Sequence, residues 1–147
     1  MTPPRLLNAI RDELISHGIV RRPSVAGAAP PMWLEPKALP AAGEGDDPVA
    51  VGAEQVLGLF LTGGVRQPPY STLRQPIVDL RIRTGPNLAY LVEDLEPRIY
   101  SALGDKRDWM MSGVYVVESQ QWRPMQRLGS GPQGYEHVTA FWFQLLR

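Results

Sequence analysis

The apolar positions along the chain follow two periods. Between Pro3 and Gly18, Leu6, Leu7, Ile10, Leu14 and Ile15 recur at helical spacing, while Arg5, Arg11, Asp12 and Glu13 fall off that stripe. The spacing predicts an amphipathic helix over 3–18. Thr2 is placed to cap it, Pro3 suits its first turn, His17 suits the negative end of the dipole, and Gly18 is a natural stop. A period of two takes over further on. In 54–62, Leu57, Leu59 and Leu61 share one side and Val56 and Phe60 the other, the pattern of a strand covered on both faces. In 76–83 the alternation is cleaner, with Val78, Leu80 and Ile82 inward and Asp79, Arg81 and Arg83 outward. An antiparallel hairpin is the simplest way to join these two strands. Leu88, Leu91, Val92, Leu95, Ile99 and Leu103 then return to helical spacing, opened by Thr84-Gly85-Pro86 and stopped at Gly104, with Pro97 predicting a kink or restart. Strands follow over 113–122, around Val114, Val116 and Val117, and over 135–146, ending in Phe141-Trp142-Phe143.

Proline and glycine punctuate the rest. Six prolines and four glycines fall within 21–53, which makes a helix implausible there and leaves Met32-Trp33-Leu34-Glu35 as one short strand. A second Pro/Gly-rich loop spans 63–75, and Gly129, Gly131, Pro132 and Gly134 predict a tight turn. The expected architecture is a single α+β domain over 1–147. It has a mixed, mainly antiparallel sheet of four to five strands and two helices packed on one face, in the order α-β-β-β-α-β-β.

Composition narrows the function. With 15 basic and 15 acidic residues among 147 the net charge is zero, which argues against a nucleic-acid wrapper or a binder of anionic membranes. Cysteine is absent, so disulfides and thiolate metal sites are excluded. No apolar run approaches the roughly 20 residues of a membrane span, and the start of the chain does not read as a signal peptide. The expected location is the cytoplasm, or something assembled there.

Sites of chemistry are sparse. His17 and His137 are the two histidines, far apart in sequence, and read as a helix-end residue and a strand residue. Glu44, Asp46 and Asp47 are compatible with a hard cation such as Mg²⁺, and more readily with a solvated acidic loop. Gly63-Gly64 is followed by Val65-Arg66 and not by a phosphate-loop lysine. Gly129-Ser130-Gly131 lacks both the spacing and the strand–turn–helix setting of a nucleophile elbow. Asp79 and Glu93 would have to meet in space to act as a carboxylate pair, and the alternation makes Asp79 an outward, solvated or interface charge. Arg81 and Arg83 project from one side of one strand, with Arg74 just before it, a pattern that suits contact with nucleic acid or an acidic partner surface and equally the solvated face of a half-covered sheet. Trp109, Trp122, Trp142 and Tyr115 read as core or subunit contact. No catalytic, metal or cofactor residue is assigned.

The combined pattern is more informative. A helix ends in glycine, and a Pro/Gly-rich stretch leads to a strand closing on Leu61-Thr62-Gly63-Gly64. After a paired-proline loop comes Arg74-Gln75-Pro76-Ile77-Val78-Asp79-Leu80-Arg81-Ile82-Arg83-Thr84-Gly85, then a helix ending Ile99-Tyr100-Ser101-Ala102-Leu103, then two closing strands. This resembles the tail terminator (minor capsid or tail-completion) proteins of long-tailed bacteriophages. The matching positions are Pro76, Val78, Leu80, Arg81, Ile82, Arg83 and Gly85, then Ile99, Tyr100, Ala102 and Leu103. The likeness spans about residues 5–145 and is strongest over 54–103. The long acidic loop at 41–53 and Pro97 depart from the family pattern.

The resemblance implies a structural virion protein at the tail–neck junction, assembled in the host bacterial cytoplasm. Such a protein forms a ring, commonly a hexamer, that caps the tail tube, ends its polymerisation and offers the surface for head–tail joining. The implied partners are other copies of the chain, the major tail tube protein and a head–tail connector or head-completion protein, with DNA crossing the lumen without sequence-specific binding. Neither a membrane nor a cofactor is implied. The residues expected at the subunit or tube interface are Arg66, Tyr70, Arg74, Asp79, Arg81 and Arg83, together with Glu44, Asp46 and Asp47 of the acidic loop. The competing readings are another neck component and a small hydrolase, the latter requiring Asp79, Glu93 and His137 to lie together.

Overall fold

Alternation along the central strands sets the architecture. The structure is a computed structural model and describes residues 3–36, 39, 55–66, 73–84, 90–131 and 134–145. Its elements are α1 (Pro3–Ser16), β1 (Met32–Leu34), β2 (Gln55–Arg66), β3 (Leu73–Thr84), α2 (Tyr90–Leu103), β4 (Lys106–Met111), β5 (Val114–Gly131) and β6 (Gly134–Leu145). The six strands form one sheet in the order β1-β2-β3-β6-β5-β4. β1 runs parallel to β2, and the other neighbours are antiparallel. The register puts Leu59, Leu80 and Thr139 in one row and Leu61, Val78 and Phe141 in the next, so that alternate side chains of the inner strands emerge together on one face.

Both helices cover that face. Leu6, Leu7, Ile10 and Leu14 of α1 and Val92, Leu95, Ile99 and Leu103 of α2 join Leu57, Leu59, Val78, Leu80, Ile82, Phe141 and Phe143 in one buried cluster. The expected α+β class, the one-sided placement of the helices and the β2–β3 hairpin are all present.

α1 ends as its sequence predicts. Gly18 sits at φ +71°, its amide donates to the Ile15 carbonyl at 2.9 Å, and the Ile19 amide donates to Leu14 at 3.0 Å. These are the two bonds of a Schellman cap, and Leu14 and Ile19 are the buried apolar pair that accompanies it.

Four features differ from the sequence reading. α2 runs unbroken through Pro97, which lies on its exposed side with Glu93. The carbonyl deprived of a donor there lies where water can serve it, so the helix needs no restart. At the other end α2 stops at Leu103, directly before Gly104 as expected, and the left-handed residue there is Asp105 (φ +48°). Gly104 is required by crowding instead: a Cβ there would sit 2.8 Å from the Tyr100 ring and 3.0 Å from its carbonyl oxygen. The opening Thr84 belongs to the end of β3, and 85–89, like Thr2, lie outside the described residues.

The sheet also has six strands, not four to five, because β4 was not foreseen. It pairs with β5 across Ser112-Gly113, both at positive φ (+45° and +88°), which is a two-residue hairpin loop of the I′ kind. Finally, the strand expected over 113–122 continues to Gly131. The β5–β6 pair therefore runs up to Gly131 opposite Gly134, with register shifts at four places.

Two substitutions test this framework. Leu80 is 1% exposed at the centre of the core, and Leu80→Ala is expected to lower the unfolding free energy by about 2–4 kcal/mol in urea titration. Gly18→Ala meets no atom within 4 Å but keeps the left-handed backbone, so its expected cost is smaller, about 1 kcal/mol. Equal losses from both would contradict the distinction between packing and backbone strain.

Candidate interaction surface

Among the described residues the second face of the sheet carries no helix, and its side chains follow from the same register. Phe60, Asp79, Ala140 and Arg123 form one cross-strand row, and Gly58, Arg81, Val138 and Gln126 the next. Flanking rows hold Val56, Arg83 and Glu136 on one side, and Ile77, Trp142 and Gln120 on the other. Arg107, Glu118 and Gln144 follow, with Met110 opposite Tyr115 on β4 and β5.

Arg81 and Arg83 thus share the helix-free side, as the alternation predicts, but this is not a plain solvated surface. The Arg81 guanidinium lies 5.1 Å from the centroid of the Phe60 ring and 3.8 Å from the Glu136 carboxylate. Asp79 is only 9% exposed, which corrects the expectation of a solvated charge. Its carboxylate accepts the Thr62 hydroxyl at 3.1 Å. Leu39 packs over Gly58, where a Cβ would meet its Cδ2 at 2.7 Å, so an apolar side chain from the β1–β2 connection rests on this face.

The charges alternate across the sheet. Arg107 pairs with Glu118 at 3.5 Å, as Arg81 does with Glu136. Such exposed pairs add little stability, on the order of 0–1 kcal/mol each, but they pattern the surface with both signs. Between them the face is aromatic and sulfur-rich at the β4–β5 end. Met110 is 58% exposed, and the exposed Tyr115 hydroxyl donates to Asp108 at 2.6 Å. That hydrogen bond to the carboxylate holds the Tyr115 phenol above its ordinary pKa. Met, Trp, Tyr and Arg are the residue types enriched where protein surfaces meet.

The remaining candidates divide in two. Arg66 and Arg74 lie in β2 and β3, where only their backbone is described. Tyr70, Glu44, Asp46 and Asp47 lie outside the described residues. The surface residues that the sequence reading missed are Phe60, Met110 and Glu136. Phe60 was assigned to the correct side of its strand, and the stacking cation on the neighbouring strand was the unreadable part. Met110 was hidden because β4 itself was hidden.

The hydrolase constellation is not assembled. Asp79 projects from the helix-free face, whereas His137 stands in the row of Leu57 and Ile82 on the helix side, and Glu93 is exposed on α2. Among the described residues no three of His, Asp and Glu come together as metal ligands, and no helix is long and apolar enough to cross a membrane. No family model matches the chain, and a search of curated proteins finds no relative.

His137 supplies a pH test. Burial, and then the Arg127 charge, lower its pKa from the usual value near 6.5. The unfolded chain therefore takes up the proton first, and stability falls as pH drops below about 6.5 until the folded-state value is passed. His137→Gln is expected to shrink the difference in melting temperature between pH 7.5 and pH 5.5. An unchanged difference would show that other groups carry the acid sensitivity.

Proposed function

We propose that this chain is a structural protein of a long-tailed bacteriophage virion: a tail terminator that forms a ring, commonly of six copies, on the end of the tail tube. The ring stops tube polymerisation and presents the surface to which the head–tail connector or head-completion protein joins. DNA crosses its lumen, and the chain does no chemistry. The observation that carries this reading is the helix-free sheet face, with Arg81 and Glu136 at one end and Met110 and Tyr115 at the other. A broad, mixed-charge face with exposed aromatics is built for contact with another protein surface, and its charge pattern supplies orientation. The resemblance of residues 54–103 to tail terminators gives that contact its identity.

A cyclic ring needs two different patches meeting head to tail. The near-neutral charge suits a conduit, since a strongly cationic lumen would retard sliding DNA through release of its counterions.

The test is negative-stain imaging of the protein mixed with purified tail tubes, with rings expected at one end of each tube. Binding to DNA-filled heads but not to tubes would favour the other neck components. Arg81→Glu combined with Arg83→Glu is expected to leave the chain folded, because both side chains emerge away from the helices. Tube capping and tail-length control should nevertheless be lost. Normal tail lengths from the double variant would remove this face from the interface.

A further inference from the structure

The sheet has two unfilled places. β4 covers the outer edge of β5 only over Val114–Ser119, and β1 covers the outer edge of β2 only over Leu57–Leu59. Both long strands outlast their neighbours, and local devices close the next positions. Glu35, left-handed at φ +49°, donates its amide to the Leu59 carbonyl, and its carboxylate accepts the Leu61 amide at 2.9 Å. On the other edge the Glu96 carboxylate accepts the Met125 amide at 3.4 Å, and Pro124 has no amide to offer. Beyond these caps, among the described residues, no strand pairs with the outer side of β2 over 62–66 or of β5 over 126–131. A bare row of backbone donors and acceptors is a template for another strand.

The two places are complementary. β2 is antiparallel to β3, β3 to β6 and β6 to β5, so β2 and β5 run in opposite senses. They also lie at diagonally opposite corners: 62–66 is level with the start of β3, and 126–131 with its end. Two copies in the same orientation, shifted along the strand axis, bring one free stretch beside the other as an antiparallel pair. β1 of one copy and β4 of the next then pass each other without competing for the same edge.

The side chains permit it. Gly63 and Gly129 occupy these stretches without positive φ, and a Cβ on either would meet nothing closer than 3.8 Å. One copy alone therefore has no steric need for either glycine, although glycine weakens a strand and marks places where another backbone comes close. Leu128, 52% exposed, stands beside them.

We infer that successive copies of this chain join by antiparallel strand pairing, the 126–131 edge of β5 in one copy adding to the 62–66 edge of β2 in the next. The partner is a second copy of this chain, and the contact is head to tail, so it repeats around a ring. The inference deepens the tail-terminator reading and rests on it for the ring, but it names a contact that a ring could lack.

The absence of cysteine makes the test clean. Thr62→Cys protein is mixed with Ser130→Cys protein, and Arg66→Cys with Gln126→Cys protein, under mild oxidation, alone and on tail tubes, with Thr62→Cys plus Met110→Cys as a collision control. A mixed disulfide is expected for 62 with 130 and for 66 with 126 and not for 62 with 110, since the bridge forms only when the two Cα atoms come within about 7 Å. Hydrogen exchange on the unaltered chain is the second readout, independent of whether the variants fold. Amides within 62–66 and 126–131 are expected to slow at least tenfold on assembly. Rings that form without that slowing and without the mixed disulfide overturn the edge contact and leave the tail-terminator reading standing. Failure to assemble both in solution and on tubes overturns the two together.

Discussion

The structure depends on a strict two-residue alternation in β2, β3 and β6. Leu57, Leu59, Val78, Leu80, Ile82, Phe141 and Phe143 are all 2% exposed or less, and all emerge on the helix side. Each intervening residue is thereby committed to the other face, whatever its chemistry. A slip of one residue in β3 would bury Arg81 and Arg83 beneath the helices and expose Leu80 and Ile82, at a cost no local rearrangement could recover. The core thus does more than stabilise the sheet. It dictates that Phe60, Asp79, Arg81, Val138 and Trp142 share a surface, and that Arg81 lies between an aromatic ring and Glu136.

The same alternation explains what could be read from the sequence. Where apolar period and burial coincide, in α1, β2, β3 and the apolar face of α2, the elements and their inward residues were legible. Gly18 was legible because a left-handed cap demands glycine. Gly104 looked identical in sequence but acts through the space beside Tyr100, which depends on the fold of the helix end. Pro97 misled because proline is read as a break, while its effect depends on whether the freed carbonyl meets solvent.

β4 was lost for a related reason. Its residues Lys106-Arg107-Asp108-Trp109-Met110-Met111 carry no alternating pattern, because Asp108 at φ +49° interrupts the pleat. The only local signal was the dipeptide Ser112-Gly113, which suits a tight hairpin but says nothing of how long its strands are. The extension of β5 to Gly131 was equally opaque. Arg123, Pro124, Gln126 and Arg127 fall outside the strand expected over 113–122, and they form a strand because β6, itself held by β3, templates them along their inner edge. Of the candidate surface, Arg81 and Arg83 were placed on the correct side, whereas Glu136 joined them only through the β3–β6 register.

An edge is the part of a sheet that a chain must either close or use. Here the short strands β1 and β4, the caps from Glu35 and Glu96, the proline at 124 and the bulges of β5 close most of both edges. Such devices discourage indiscriminate pairing, so the stretches they leave open differ from an edge that was never managed. If the open stretches were accidental, their positions would bear no relation to each other. Instead they are of similar length, opposite in direction and at opposite corners of one sheet, which is the geometry required for one copy to continue the sheet of the next. Because each copy presents both halves of that match, such a contact would propagate in one sense only, and the Arg81–Met110 face of every copy would be directed to the same side.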